Sequence, residues 1–162
     1  MIRKLMPSDF NSILRVINDA AVAYKGIIPN DRWKEPYMLA EELREEIKLG
    51  ISFFGWIKDG SIIGVMGNQS VKDTTLIRHS YVLTRYQGRG IGSKLLKHII
   101  CIAETPEILV GTWKDATWAI RFYENHGFKL VSPKEKDRFL LKYWNIPERQ
   151  IETSVVLRLK IR

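Results

Sequence analysis

Apolar residues along the chain keep two rhythms in turn, and the switch between them lays out the elements. "IRKLM" (2–6) reads as a short edge strand. "PSDFNSILRVINDAAVAY" (7–24) then places Phe10, Ile13, Leu14, Val16, Ile17 and Ala20/Ala21 at helical spacing, with Ser8 as the expected N-cap. One glycine and two prolines in "GIIPNDRWKEP" (26–36) break that helix, and "YMLAEELREEIKLG" (37–50) predicts a second one closed by Gly50. From Ile51 the period shortens. "ISFFGWIKDGSIIGVMGNQSVKDTTLIRHSYVL" (51–83) is cut by KDG (58–60) and VKD (71–73), which mark two hairpin turns joining three antiparallel strands. "QGRGIGSKLLKHIICIAE" (87–104) predicts a helix from near Arg89 with Ile91, Leu95, Leu96, Ile99 and Ala103 on one face. "EILVGTW" (107–113) is a short buried strand, and "DATWAIRFYENHG" (115–127) a helix ended by Gly127. "FKLV" (128–131) is a strand, "PKEKDRFLLKYW" (133–144) is helical or turn-like with Pro133 in its first turn, and "IETSVVLRLK" (151–160) is a long final strand.

The resulting order, β-α-α-β-β-β-α-β-α-β-(α)-β, implies a layered α/β domain with a mixed sheet. No repeat, low-complexity tract or linker interrupts it, so residues 1–162 are expected to form one domain, long enough to bury a core without staples. The composition, 45% hydrophobic and 27% charged, is that of an ordinary soluble globular protein. A single cysteine, Cys101, precludes an internal disulfide and a cysteine-based zinc cluster, and no metal is expected. No apolar run approaches the roughly 20 residues of a membrane span. "MIRKLMPSDF" lacks the apolar stretch of a signal peptide, so the expectation is a cytoplasmic protein with no membrane partner. The net charge of +8 suits an anionic ligand, but Lys and Arg are scattered among Asp and Glu, so no specific nucleic-acid partner is expected.

The stretch "YQGRGIG" (86–92), at the mouth of the third helix, is the first candidate for chemistry. The dinucleotide pattern G-x-G-x-x-G fails at Ser93. The P-loop pattern fails because Lys94 follows Ser93 rather than glycine. What survives is physical: glycines let a ligand approach bare backbone, and a helix N-terminus turns unpaired amides toward an anion, here from Gly88 to Ser93 with Arg89 or Lys94 as counter-charge. A glycine-rich tight turn without a ligand fits the same residues.

"YVLTRYQGRGIGSKLL" (81–96) resembles the acetyl-CoA signature of the GCN5-related N-acetyltransferases, the GNAT superfamily: Gln87, Gly90 and Gly92 fill Q/R-x-x-G-x-G/A. A second element typical of that family is an alanine, then Phe-Tyr, then Gly-Phe, met by Ala119, Phe122-Tyr123 and Gly127-Phe128. The family's strand order also matches over essentially the whole chain. The resemblance implies a mixed, largely antiparallel sheet with splayed central strands and helices on both faces. It implies acetyl-CoA as cofactor and acetyl transfer to a primary amine, first of all on a small molecule, and admits a homodimer. A protein N-terminus or lysine is the alternative acceptor, and a non-catalytic acyl-CoA or nucleic-acid binding module the alternative function. Carried over by position, the backbone of Val82, Leu83 and Thr84 bonds the pantetheine arm. The amides of Gly88, Arg89, Gly90, Ile91, Gly92 and Ser93 hold the pyrophosphate, and Tyr123 lies near the thioester sulfur. Ala116 stands where the family often has a cofactor-contacting Asn, with Thr112 or Thr117 as candidate substitutes.

Acetyl transfer needs an oxyanion donor, a proton for the departing thiolate and a neutral amine. A backbone N–H near Val82 or Leu83 is the expected donor. Tyr123, a phenol of pKa about 10, is the expected acid, unless it merely packs as Phe122 does. His79 is the candidate base, directly or through water, against the alternative of a satisfied structural histidine. Strand alternation puts His79 and Tyr81 on one face and Arg78 and Ser80 on the other, while His98 and His126 are expected at the surface. For the acceptor, Tyr24, Trp33 and Tyr37 with Glu41, Glu42, Glu45 and Glu46 offer aromatic walls and carboxylates. The same residues also suit a loop packed on the core and a solvated helix face, and Trp113 and Trp118 carry the same ambiguity.

Overall fold

Asp59 and Gly60, both with positive φ (49° and 78°), reverse the chain between its second and third strands, and Lys72 (φ 55°) does the same before the fourth. The two hairpins that KDG and VKD predict are therefore present. The computed structural model describes residues 1–161. In chain order they form β1 (Ile2–Lys4), α1 (Phe10–Ala20), α2 (Ala40–Lys48), β2 (Ser52–Lys58), β3 (Ser61–Val71), β4 (Thr74–Val82), α3 (Ile91–Ile102), β5 (Glu107–Trp113), α4 (Thr117–Glu124), β6 (Lys129–Leu130), α5 (Pro133–Tyr143), α6 (Glu148–Glu152) and β7 (Ser154–Lys160). The seven strands lie in the order β1-β2-β3-β4-β5-β7-β6, antiparallel everywhere except between β4 and β5.

Three local details differ from the pattern-based expectation. Ser8 does not cap α1: it lies in a single 3-10 turn, Pro7–Asp9, where the Asp9 carboxylate accepts the Met6 N–H at 2.7 Å and binds Arg3. The third helix starts at Ile91, because Gly88 and Gly90 both take left-handed backbone and keep the loop out of the helix (φ 76° and 80°). The last strand gives up its first residues to α6, so the chain between β6 and β7 holds two helices; Ser132 caps the first by accepting the Glu135 N–H.

Side-chain alternation on the central strands divides the core. Leu76, Leu109 and Val156 pack on Phe139, Leu140 and Tyr143 of α5. Their neighbours Ile77, Ile108, Val110 and Leu157 join Leu95, Leu96 and Ile99 of α3 and Tyr123 of α4. Period-two geometry therefore puts α5 on one face of the sheet and α3 and α4 on the other. Gly64 allows α3 to seat directly on β3: a Cβ there would lie 2.9 Å from Ile91 Cγ2. Among the described residues no helix is long and apolar enough to cross a membrane.

Candidate active site

The parallel pairing at the centre of the sheet is short. β4 and β5 meet only at Thr75↔Ile108, Leu76↔Leu109 and Ile77↔Val110. Beyond these, β4 stays with β3 as far as Val82 and β5 stays with β7 as far as Trp113, so the two strands part like the arms of a V. A bulge bends β4 where they part: between Gly67↔Arg78 and Val65↔Tyr81, one residue of β3 faces His79 and Ser80 of β4, and His79 takes φ 53°. Simple alternation does not run through a bulge, which is why face assignments for residues 78–81 cannot be counted from the sequence.

The glycine loop closes one side of the V. Leu83 N–H is spent on the Ile63 carbonyl (2.9 Å) and Thr84 N–H on the Asp19 carboxylate (2.8 Å). Leu83 is thereby removed as an oxyanion donor. Antiparallel alternation then turns the Val82 N–H and C=O away from β3, toward the opening. Gln87 does not extend its side chain to a ligand; its Nε2 donates to the Val82 carbonyl at 2.9 Å and ties the loop to the strand. At Gly88 and Gly90 an added Cβ would meet nothing within 4 Å, so this backbone is open. The first helical bond runs from Lys94 N–H to the Gly90 carbonyl (3.1 Å), and the amides of Ile91, Gly92 and Ser93 precede it at the positive end of α3. Arg89 stacks over the Tyr86 ring (5.3 Å), which Arg85 and Lys58 also approach, whereas Lys94 lies over Trp56. This arrangement can hold a pyrophosphate-sized anion.

Behind the loop, Ser93 Oγ lies 2.7 Å from His126 Nε2, and His126 Nδ1 donates to the Phe122 carbonyl at 2.8 Å. Because a carbonyl only accepts, Nδ1 carries the hydrogen, and in the neutral ring the Ser93 hydroxyl donates to Nε2. His126 is therefore a brace between α3 and the turn after α4 rather than a surface residue, and half-buried His98 packs on Phe54 (4.8 Å). Ala116 is fully buried among Ile28 and Trp113 at the start of α4; Thr112 lines the same cavity as Tyr24, and Thr117 is exposed.

On the other side, the V opens into a cavity of about 410 Å³ bounded by α2, β4, β5, α4 and the α5–α6 segment; no residue from Gln87 to Ser93 lines it. Tyr24, Tyr37, Tyr81 and Tyr123 do. Tyr24 stacks on Trp118 (6.0 Å) and tilts against Tyr37 (5.4 Å), while Trp113 Nε1 donates to the Tyr37 hydroxyl at 2.9 Å. Trp33 is not part of the lining: it stacks on Tyr37 and bonds Glu35. Burial pushes the Tyr24 and Tyr81 phenols well above their ordinary range. Tyr123, 5% exposed and set edge-on to Phe122 and Phe128, is pushed up to about 12 by burial, against the opposing effect of a hydrogen bond with Ser80. All three remain protonated at neutral pH.

Of the four glutamates on α2, Glu42 and Glu46 line the cavity, while Glu41 and Glu45 are exposed. Glu46 clasps β4, bonding Arg78 at 3.0 Å and His79 Nε2 at 2.5 Å. Burial alone would raise its carboxyl, but the His79 bond and the neighbouring positive charges outweigh burial and hold it below the usual range. His79 also lies against Phe53 (6.2 Å), a satisfied wall residue whose Nε2 is engaged. Asp19, Ser80, Glu46 as a clasp and the Ser93–His126 brace had no signal in the sequence, because each contact joins residues at least 32 positions apart.

Known proteins resemble the chain over this framework. The family model described as the acetyltransferase (GNAT) domain matches residues 50–130. The peptidyl-lysine N-acetyltransferase YiaC of Escherichia coli is 22% identical over 144 residues, covering 89% of this chain and 93% of that protein. The PaiA N-acetyltransferase of Thermoplasma acidophilum, solved in complex with coenzyme A, aligns with a TM-score of 0.69 at 19% identity, over 99% of this chain and 98% of the other. A GNAT-family acetyltransferase of Staphylococcus aureus aligns with a TM-score of 0.73 at 18% identity, over 100% and 99% of the two chains.

Proposed function

Since the chain belongs to the GNAT acetyltransferases and is thus an acetyl-CoA-dependent N-acetyltransferase, we propose that residues 1–162 act as one domain that acetylates a primary amine on a small molecule. The observation that carries this reading is the cavity of about 410 Å³, walled by Tyr24, Tyr37 and Tyr81 and reaching Tyr123: its volume matches a small ligand.

The residues present fit the cofactor. The open backbone at Gly88 and Gly90 and the amides of Ile91, Gly92 and Ser93 would hold its pyrophosphate, and the three cations around Tyr86 add positive potential beside the loop. When bound, acetyl-CoA supplies an activated acetyl group as a thioester. In this scheme Val82 N–H donates to the acyl oxygen, since it is the donor of the 82–84 stretch not spent inside the fold. Tyr123, protonated at neutral pH, gives a proton to the departing sulfur, and the proton that the attacking neutral amine sheds on forming the amide restores the phenol. Tyr24 and Tyr37 receive the acceptor. Ala116 offers the cofactor no polar side chain and acts by packing, while His79 is read as a wall residue held by Glu46 rather than as the base.

Coenzyme A release, followed across a panel of amines, amino acids, peptides and lysine-containing proteins, tests the proposal. Turnover concentrated in the small amines is the expected result, and turnover confined to proteins would transfer the acceptor to a lysine or an N-terminus.

A further inference from the structure

Charged side chains around the cavity pair off and leave one over. Glu42 takes Lys34, and Glu46 takes Arg78 and His79, so both cavity carboxylates are committed. Arg32 also lines the cavity, from the loop between α1 and α2, and among the described residues it has no ion-pair partner. Its Nη2 donates to the neutral Gln150 Oε1 at 3.3 Å, and its Nε is buried with no hydrogen-bond partner. The adjacent Asp31 carboxylate faces Arg149 instead, at 3.1 and 3.3 Å. A buried guanidinium N–H with no acceptor is costly, and the planar fork of arginine matches a carboxylate in two parallel hydrogen bonds.

We propose that Arg32 binds a carboxylate on the acceptor, so that the substrates are amines that also carry an acid group, such as amino acids or short peptides with a free C-terminus. The inference rests on the small-molecule acetyltransferase reading and narrows it. Gln150, which lines the same cavity and whose Oε1 already faces Arg32, keeps its amide N–H groups for the same carboxylate. A polyamine is disfavoured by the same count: it would bring a second cation beside Arg32, Lys34 and Arg78, with neither carboxylate free to receive it. The pyrophosphate loop does not line this cavity, so Arg32 is assigned to the acceptor and not to coenzyme A.

The test uses matched pairs: amino acids and dipeptides beside their own carboxamides, with simple alkylamines and diamines. The acids should be used with kcat/KM higher by roughly 10–100-fold, the discrimination expected of a hydrogen-bonded charge. Arg32→Gln should erase the difference by raising KM for the acids alone, with acetyl-CoA affinity and melting temperature unchanged, and Arg32→Lys should restore part of it. Equal use of acids and carboxamides, or an equal slowing of both by Arg32→Gln, overturns the proposal while leaving the acetyltransferase reading intact. If acetyl-CoA binds but no small amine turns over, the small-molecule reading fails separately. Arg32 is then judged by tryptophan fluorescence with N-acetylated dipeptides and their carboxamides: a preference for the acid that Arg32→Gln removes supports it, and no preference overturns it.

Discussion

Tyr123 is a phenol enclosed by two phenylalanine rings that also lines the cavity with Ser80, so packing and chemistry coincide on one side chain. Tyr123→Phe separates them, because it keeps the ring and deletes the hydroxyl. The proton-donor role predicts that turnover falls roughly 10²–10⁴-fold, with acetyl-CoA affinity and melting temperature barely moved. Single-turnover rates close to those of the parent would remove Tyr123 from the mechanism. The same burial has a consequence for pH. Tyr24, Tyr81 and Tyr123 all have folded-state pKa values above the unfolded value of about 10, so their protonated forms favour the fold fully below pH ~10. That contribution is lost as pH rises from about 10 toward about 12, and the melting temperature should fall over this window. Ultraviolet titration checks it: these three phenols should resist ionisation until the protein unfolds, and normal titration of all of them in the folded state would contradict their burial. Gly90 acts through its backbone at the mouth of α3. Asp there is strained by the left-handed backbone (φ 80°), a cost Asp bears better than most side chains, while no atom obstructs its Cβ and its charge would occupy the anion site. Gly90→Asp should therefore lower the melting temperature of the free protein modestly and also lose the rise that acetyl-CoA gives the parent; a retained rise would place the cofactor elsewhere.

The elements show how far a sequence carries this fold. Strand and helix order, both hairpins and the glycine loop were readable, because each is encoded locally by apolar period or by turn residues such as Asp59-Gly60. The bulge at His79 was not, since it depends on how β4 meets β3 and leaves no signature in its own residues. With it went the facing of Arg78, His79, Ser80 and Tyr81, and hence the base assignment. Family motifs marked the loop and Tyr123, but they could not reveal that Gln87 bonds Val82, that Leu83 and Thr84 amides are already spent, or that Trp33 stands outside the cavity. Of the acidic helix, counting could say only that some carboxylates would face inward. Packing decided that these are Glu42 and Glu46, each already neutralised.

At the scale of the whole molecule, a charge of +8 attracts polyanions, yet many of the cations are tied up locally, as in Arg3–Asp9, Lys25–Glu35, Arg78–Glu46 and Arg149–Asp31. Oligonucleotide binding should accordingly be weak, indifferent to sequence, and lost steeply between low and physiological salt in a fluorescence-anisotropy titration. A sequence-selective complex that survives moderate salt would argue for a nucleic-acid function. Residues from both ends of the chain form the cavity, with Arg32 meeting Gln150 and Asp31 meeting Arg149, so the acceptor side should be sensitive to changes in α6.

The parting of β4 from β5 leaves the Val82 amide without a strand partner in the middle of an otherwise laddered sheet. A backbone N–H in that position exchanges its hydrogen with solvent through the open gap, without waiting for the protein to unfold, whereas its neighbour Leu83, bonded to Ile63, is protected. Deuterium uptake at Val82 should thus be fast in the free protein and slow sharply when acetyl-CoA is added, while Leu83 stays slow throughout. The exchange rate of a single hydrogen reports whether the gap is filled.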